Sequence, residues 1–298
     1  MSEASYKKEK KQQGYITTTP LPDKATLEKF YRDLYYQAPQ SSTYQKEYPE
    51  IEIEYKKMKF NVIVHAIRSQ GKASGAFLDI GAGEGFMMQA AHDQEFDVTG
   101  IDFSSFGVER FNPGMSRFLR NGDVYENLEN LASEKKIFSA VSAVNVLEHV
   151  VDPDLFLDKA KNVLAPDGIL SITVPNDFSL LQSMALSHGF IDREFWFSPP
   201  AHLQYFNTEN LEQYCQGRGF EILDAFSDFP IDLFLLHPGS NYVMTPENGP
   251  AAHLARMLLE LKLASKGFDK FLSYYRSMYT MGMGRDITVL LRPKKLTG

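Results

Sequence analysis

Cysteine is almost absent from this sequence, because Cys215 is the single thiol among 298 residues. One thiol excludes a disulfide within the chain and a metal site built from several cysteines. No apolar run reaches the roughly 18 residues that a transmembrane helix needs. The first 15 residues are basic, but no apolar segment follows them, so we do not expect a signal peptide. These features predict a cytoplasmic protein without membrane insertion.

A positive charge excess is also missing. The formal net charge is −7, from 31 Lys and Arg against 38 Asp and Glu, so no nucleic-acid partner is predicted. With 43% apolar and 23% charged residues, the composition is typical of a globular protein and argues against a disordered or coiled-coil chain. What the sequence has in excess is aromatic residues, including 15 Tyr and 22 Phe.

The order of the predicted elements indicates a parallel sheet covered by helices. Strand patterns alternate with helical ones and lie at 77–80, 98–101, 118–120, 138–144 and 169–174. Alternation of this kind is typical of βαβ units and predicts a doubly wound α/β fold. Two further strands are predicted at 221–226 and 286–292.

Several helices are predicted outside this alternating region. Apolar residues recur at helical spacing around 24–36 and over 50–69, whereas residues 1–20 are polar and expected to be mobile. A long helix is predicted from about 251 to 277. We divide the chain into a tail with helices that belong to the cap (1–70), a core (71–229 and 286–298) and a helical insertion on the acceptor side (230–285).

Capping residues predict two further helix starts. Asp152 precedes a proline and is a favourable N-cap, because its side chain can accept a hydrogen bond from a free backbone N–H. Thr208 is predicted to cap a helix that ends at Gly219 for the same reason.

The sharpest functional signal is a glycine-rich turn after the first strand of the sheet. Gly81, Gly83 and Gly85 follow Asp79 in the pattern D-x-G-x-G-x-G. Glycine allows a tight turn and lets a ligand approach the backbone. The spacing differs from the G-x-G-x-x-G of dinucleotide sites, and a carboxylate beside a pyrophosphate would be unfavourable. A carboxylate at this position instead suits a ligand with an ammonium group; a generic βα turn is the alternative.

Three further signals follow later strands. Asp102 ends the second strand about 20 residues past the glycines, where an acid can accept hydrogen bonds from ribose hydroxyls. Asp123 follows the third strand and can accept from an adenine amine. His149 follows the fourth strand, at the sheet edge where open α/β folds bind ligands. The alternatives are a helix N-cap for Asp102, a turn aspartate for Asp123 and a structural histidine for His149.

These blocks, in this order, resemble the class I S-adenosylmethionine-dependent methyltransferases. Asp79 with its glycines matches the glycine motif of that family, Asp102 its ribose acid, Asp123 its adenine-side acid, and 147–149 its Leu-Glu-His segment. The match covers residues 77–226 and the last strand. It implies a Rossmann-like seven-stranded sheet of order 3-2-1-4-5-7-6 with strand 7 antiparallel. It also implies S-adenosyl-L-methionine as cofactor and S-adenosyl-L-homocysteine as product.

The resemblance, with the residues that adjoin the matched positions, gives a predicted cofactor site. Its residues are Asp79, Gly81, Ala82, Gly83, Gly85, Asp102, Phe103, Asp123, Asn145 and Val146. We predict no metal ligands, because the sequence shows no dense cluster of carboxylates and histidines.

A second resemblance lies at 199–206, Pro-Pro-Ala-His-Leu-Gln-Tyr-Phe. This segment is similar to one in bacterial small-molecule and sugar methyltransferases. A histidine can remove a proton from a hydroxyl as the methyl group moves, so His202 is the predicted base, ahead of His149. A packing or capping histidine is the alternative.

The leading hypothesis is methyl transfer to an oxygen or carbon of a small molecule, such as a nucleotide sugar or another biosynthetic intermediate. An Asn-Pro-Pro-Tyr-type signature of amine methylation is absent, since Asn-Val-Leu-Glu stands at 145–148. We expect residues 176–206 and 230–285, which concentrate aromatics, to form the acceptor side together with the N-terminal helices. Open alternatives are a macromolecular acceptor, an inactive methyltransferase-like binding protein and a nicotinamide oxidoreductase.

Overall fold

The computed structural model describes residues 6–23, 26–27 and 47–295. The helix predicted around 24–36 therefore lies outside the described residues, apart from positions 26 and 27. The described strands are β1 (Lys7–Lys10), β2 (Ile16–Thr19), β3 (Gly75–Ile80), β4 (Phe96–Asp102), β5 (Leu119–Asn121), β6 (Phe138–Val144), β7 (Leu164–Pro175), β8 (Gln204–Tyr205), β9 (Phe220–Ser227) and β10 (Asp286–Pro293).

Helices cover the sheet and flank it in sequence. The described α-helices are α1 (Glu50–Ser69), α2 (Phe86–Asp93), α3 (Phe106–Phe111), α4 (Val124–Ser133), α5 (Pro153–Asn162), α6 (Leu180–Ser187), α7 (Leu211–Gly217), α8 (Gly249–Ala264) and α9 (Phe268–Thr280). Short 3₁₀ helices lie at Pro113–Phe118, Ile231–Leu236 and Pro246–Asn248. Of the helices described, none has both the length and the apolar character that crossing a bilayer requires.

The main sheet has seven strands in the order β5-β4-β3-β6-β7-β10-β9. Strand β10 is antiparallel to both β7 and β9, while β3 to β7 pair in parallel. Counted within this sheet alone, the order is 3-2-1-4-5-7-6 with an antiparallel seventh strand, which confirms the predicted Rossmann-like fold. The carboxyl ends of the parallel strands therefore meet at one edge, where this class of fold binds ligands.

The central strands are apolar because helices cover both of their faces. Phe77, Leu78 and Ile80 of β3 are fully buried, as are Leu170 and Ile172 of β7. Nearly continuous apolar runs are typical of parallel strands buried on two sides. The packed sheet is thus a rigid support for the polar residues that follow its strands.

Two predicted helix starts have different outcomes. The carboxylate of Asp152 accepts a hydrogen bond from the Leu155 backbone N–H at 2.9 Å, so this N-cap is confirmed. The Thr208 cap is wrong, because α7 begins only at Leu211 and has no side-chain cap. Asn207 forms the turn instead, with its side-chain oxygen accepting from the Glu209 N–H at 3.0 Å.

The prediction of a mobile N-terminus is wrong for the described residues of 1–20. Strands β1 and β2 form an antiparallel hairpin, and β2 pairs with β8 in a second, three-stranded sheet. Tyr15, between the two strands, is only 7% exposed, with its ring stacked 4.9 Å from that of Phe206. The polar sequence of this region did not indicate a strand, because the outer strand β1 is exposed along its whole length and carries charged side chains.

The prediction of one continuous helix over 251–277 is also wrong. The chain forms α8 and α9 with a break between Ala264 and Phe268. Gly267 in this break has φ +102°, a conformation that side chains with a Cβ rarely adopt. The helix predicted over 50–69 is confirmed as α1, and it packs against both α2 and α8.

Candidate active site

A cavity of about 990 Å³ opens at the carboxyl edge of the sheet. Its wall combines the turn after β3, the end of β4, the start of α4 and the loop after β6, with α1 contributing Phe60. This volume is at the upper end of the range for small-molecule sites. The position agrees with the rule that open α/β sheets bind ligands beyond the carboxyl ends of their strands.

The turn after β3 depends on its glycines. Gly81, Gly83 and Gly85 all have positive φ, of +73°, +55° and +77°. A Cβ on Gly81 would lie 2.5 Å from a methyl carbon of Val146, so even alanine would clash there. The Gly81 N–H donates to the Ile101 carbonyl at 2.8 Å, which fixes the turn against β4.

Asp79 lies beneath this turn with 2% of its surface exposed. Its oxygen Oδ2 has no hydrogen-bond partner within the part of the chain that the structure describes. Burial, and then the nearby negative charge of Asp102, raise the pKa of Asp79 well above its usual value. A bound cation would relieve both effects, because it supplies the missing partner and an opposite charge. The site is therefore suited to an ammonium group.

Asp102 holds the glycine turn in place. Its carboxylate accepts hydrogen bonds from the N–H groups of Gly83 and Ser104, each at 2.8 Å. Burial raises its pKa, and these backbone donors partly oppose that shift. The alternative of a helix cap is not observed, because α3 begins at Phe106, whose N–H donates to the Ser104 hydroxyl at 3.2 Å. Each carboxylate oxygen retains a further lone pair that can accept from a ribose hydroxyl.

Asp123, predicted as an adenine-side acid with a turn aspartate as the alternative, lies at the start of α4 and at the cavity. It caps α4 by accepting from the Glu126 N–H at 3.0 Å, and it also lines the cavity. Phe103, which is 53% exposed, lines the same region. An acid and an aromatic ring on one side of the cavity suit a purine base, which combines an amine with a flat apolar surface.

Most of the predicted cofactor residues meet in this one cavity. In the described part of the chain, Gly85 alone among them is not in the wall, and it ends the turn at the N-terminus of α2. The wall also contains residues that were not predicted as site residues, namely Pro22, Leu27, Phe60, Glu84, Phe86, Met87, Val124, Tyr125, Glu126, Val144, Val150 and Val151. The helical spacing over 50–69 indicated a buried stripe but not that Phe60 faces a ligand site.

A hydrogen bond and an ion pair of Glu84 connect the glycine turn to residues that precede β3. The carboxylate of Glu84 accepts from the Tyr48 hydroxyl at 2.5 Å and pairs with Lys56 of α1 at 3.0 Å. The side-chain amide of Asn112 donates to the Glu84 carbonyl at 2.7 Å. These contacts connect the turn to α1 and to the residues that precede and follow it in sequence.

The two predicted bases lie together. The His149 and His202 rings are 5.0 Å apart in an edge-to-face arrangement, and His149 lines the cavity. His149 donates from Nδ1 to the Ala201 carbonyl at 2.6 Å, and its Nε2 is 3.8 Å from Glu148 Oε1. Burial, and then His202, lower the pKa of His149 to about 3. Within the described residues, His202 is not part of the cavity wall.

The aromatic segments after β7 pack mainly with one another. Trp196 is 3% exposed and meets the rings of Phe178 and Phe195 edge-on. As far as the chain is described, the cavity wall includes no residue of 176–206 or 230–285. The interpretation of these segments as an acceptor-side cap therefore stays a prediction.

The sheet order and the glycine turn match the fold of the class I S-adenosylmethionine-dependent methyltransferases. A family model described as "Methyltransferase domain" matches residues 51–225, more than half of the chain, and the chain belongs to this family.

Curated relatives include enzymes named ubiquinone biosynthesis O-methyltransferase. The one from Haemophilus ducreyi is 30% identical over 129 residues, which cover 40% of this chain and 52% of the relative. The one from Caulobacter sp. is 28% identical over 156 residues, covering 50% and 60%. The chain thus spans about half the length of the curated relatives it matches.

Solved structures share the fold at low sequence identity. The 1,6-didemethyltoxoflavin-N1-methyltransferase of Burkholderia thailandensis, solved with S-adenosylhomocysteine, has a TM-score of 0.53 and 12% identity. The match covers 99% of this chain and 98% of that one. The plantazolicin methyltransferase BpumL has a TM-score of 0.52 and 14% identity, covering 91% and 95%.

Proposed function

We propose that the chain transfers the methyl group of S-adenosylmethionine to a hydroxyl oxygen of a small biosynthetic intermediate. The observation that carries the proposal is the layout of the cavity. The carboxylate of Asp79, whose Oδ2 has no hydrogen-bond partner in the described part of the chain, lies below the glycine turn. The imidazole of His149, in the loop that follows β6, lines the cavity.

The donor occupies the region around the glycine turn. Its ammonium group pairs with Asp79, its ribose hydroxyls donate to Asp102, and its adenine lies beside Phe103 and Asp123. Asn145 and Val146 border the same space. This placement leaves the methyl group directed toward the loop after β6, where His149 lies.

Methyl transfer from a sulfonium is an in-line displacement. The acceptor oxygen attacks the methyl carbon, and the bond from that carbon to sulfur breaks with its electron pair staying on sulfur. The donor is already activated, so holding both partners at the attack distance supplies much of the catalysis. A hydroxyl acceptor must also lose its proton, and this requirement favours an acceptor side with imidazole groups.

Two observations favour oxygen over nitrogen as the acceptor atom. A neutral amine needs no base before attack, whereas His149 and His202 are clustered near the expected methyl position. The curated relatives are named O-methyltransferases, which supports the same choice. The acceptor class that follows is a phenolic or sugar hydroxyl, including that of a nucleotide sugar.

A turnover screen with methyl-labelled S-adenosylmethionine tests this proposal. The panel contains phenols and catechols, nucleotide sugars, and matched amine analogues. We expect the label in a methyl ether, with turnover reduced in Asp79→Asn, which lacks the charge that binds the donor. Label found only on nitrogen would overturn the choice of oxygen. Donor binding without turnover of any acceptor would favour the inactive binding protein.

A further inference from the structure

The structure brings three potential metal ligands together beside the cavity. A carboxylate oxygen of Glu148 and one ring nitrogen each of His149 and His202 all lie within 4.8 Å of one another. Glu148 and His149 are adjacent in the loop after β6, whereas His202 precedes β8. The sequence gave no sign of a dense cluster because His202 is more than 50 positions away from the other two residues in the chain.

The two segments that carry these side chains are joined through their backbones. The N–H groups of Leu203 and Gln204 both donate to the Glu148 carbonyl, at 2.8 and 3.0 Å. The His149 ring adds its own hydrogen bond to the Ala201 carbonyl at 2.6 Å. The three side chains are therefore held by a fixed framework and not by a loose loop.

Glu148 provides a sign of a missing partner. It is 1% exposed, and neither of its carboxylate oxygens finds a hydrogen-bond partner among the residues that the structure describes. Leaving a buried carboxylate without a partner is costly, so such groups are paired or bind metal ions. The ring nitrogen Nε2 of His149 lies 3.8 Å from Glu148 Oε1, which is too far for a hydrogen bond.

His149 has the supporting hydrogen bond that is typical of a metal-binding histidine, and His202 has a carboxylate nearby. Because His149 donates from Nδ1 to a backbone carbonyl, its Nε2 carries a lone pair on the side of Glu148. His202 Nδ1 lies 3.9 Å from Asp177 Oδ2, and both atoms lack a hydrogen-bond partner in the described ranges. The other oxygen of Asp177 accepts from Arg285 at 2.8 Å. A carboxylate behind a ligating histidine is a common supporting arrangement.

We propose that Glu148, His149 and His202 bind a divalent transition-metal ion at the wall of the cavity. Two imidazoles with one carboxylate suit Zn²⁺ or a similar ion more than Mg²⁺ or Ca²⁺. Donor atoms on a tetrahedral Zn²⁺ lie roughly 3.3 Å apart, so the three side chains need only a small inward adjustment.

The ion gives the acceptor hydroxyl a route to lose its proton. This role of the ion rests on the proposed function, whereas binding of the ion to the three side chains is independent of it. The hydroxyl oxygen coordinates the ion, which lowers the pKa of the hydroxyl, and its proton leaves to solvent. The resulting oxyanion then attacks the methyl carbon as sulfur departs with its electron pair. His202 would then act as a ligand and not as a direct base.

Titration of the chelator-treated protein with Co²⁺, followed by calorimetry and visible absorption, tests ion binding directly. We expect uptake of one ion per chain and an absorption band from nitrogen ligation. Glu148→Gln and His202→Ala should weaken Co²⁺ binding by more than about 100-fold, and Asp177→Asn by about 10–100-fold. His188→Ala changes an exposed histidine outside the cluster and should leave binding unchanged.

The outcomes separate this inference from the proposed function. Wild-type protein that takes up no Co²⁺, or uptake unaffected by both ligand variants, overturns the ion site. Binding of S-adenosylhomocysteine shows whether each variant is folded. If a variant is not folded, the Co²⁺ titration of the wild-type protein alone decides whether the ion site exists. Full turnover in chelator overturns the role of the ion but leaves methyl transfer intact. Co²⁺ binding without turnover of any acceptor would support the ion site and contradict the proposed function.

Discussion

The carboxyl group of Asp79 is buried beside that of Asp102, and this arrangement costs stability when the carboxyl group is ionised. Burial raises the pKa of Asp79 in the folded protein above its value in the unfolded chain. The stability that this shift contributes is present below the unfolded pKa and is lost as pH rises through the folded one. Near neutral pH the unliganded protein therefore carries a destabilising group that a bound ammonium relieves.

Asp79→Asn should weaken donor binding and stabilise the unliganded protein. The variant keeps the shape of the side chain but removes the charge, so we expect a loss of about 1.5–3 kcal/mol in binding S-adenosylhomocysteine. Tm without ligand should rise, because the buried charge is gone. Calorimetry and thermal unfolding measure the two effects. Unchanged affinity in a folded variant would mean that the ammonium does not contact this carboxylate.

Donor affinity should depend on pH through the same group. In the proposed site the ammonium group of the donor pairs with the ionised carboxylate, so below the raised pKa of Asp79 we expect binding to release a proton. The dissociation constant should then increase by up to about tenfold per pH unit as pH falls. The increase should begin above the usual pKa of 3.8 and be much smaller in Asp79→Asn. A flat profile in the wild type across mildly acidic pH would contradict this linkage.

The small sheet of β1, β2 and β8 supports the segment that carries His202. Thr18 donates its N–H to the Leu203 carbonyl at 2.9 Å, and β2 pairs with β8. Tyr15 packs against the rings of Phe206 and Tyr214 at 4.9 and 5.2 Å. The hairpin thus braces the loop beside the cavity from the outside.

Tyr15→Ala should destabilise the protein by about 3 kcal/mol, because it removes a buried ring between two others. Urea unfolding measures the change, with Lys10→Ala on the exposed strand β1 as a control of small effect. If Tyr15→Ala costs no more than Lys10→Ala, the hairpin is not part of the folded core.

Elements set by local residues were predictable from the sequence, whereas those set by distant contacts were not. The Asp152 cap depends on neighbours within a few residues, and the glycine turn is marked by three closely spaced glycines of positive φ. The pairing of β2 with β8 joins segments far apart in the chain, and nothing in the polar N-terminal pattern encodes it. The cluster of Glu148 with His202 was missed for the same reason. The break at Gly267 was missed because the apolar pattern continues through it.

A part-buried charge cluster ties the end of β9 and the start of β10 to α1. Lys59 lies 2.8 Å from Asp228, just after β9, and 3.1 Å from Asp286, at the start of β10. The Asp228 N–H also donates to the Asp286 carbonyl at 3.1 Å. Burial alone would raise the pKa of Asp286, but Lys59 and then Arg285 lower it. The end of β9 and the start of β10 therefore meet at Lys59, whose positive charge offsets the negative charges of Asp228 and Asp286.

Lys59→Met should therefore destabilise the whole molecule by on the order of 3 kcal/mol, since it leaves two carboxylates side by side without this counter-charge. Lys72→Met is the matched control, because Lys72 pairs with Asp167, whose side chain is 76% exposed, and should cost less than about 1 kcal/mol. Comparable losses in urea unfolding for the two variants would show that the cluster does not stabilise the fold.

Calorimetric titration of the intact chain with S-adenosylhomocysteine tests the central claim most directly, with a nicotinamide dinucleotide as the comparison ligand. We predict one binding site per chain for S-adenosylhomocysteine and no comparable binding of the dinucleotide, because Asp79 suits an ammonium group and opposes a pyrophosphate. No binding of S-adenosylhomocysteine, or tighter binding of the dinucleotide, would contradict it.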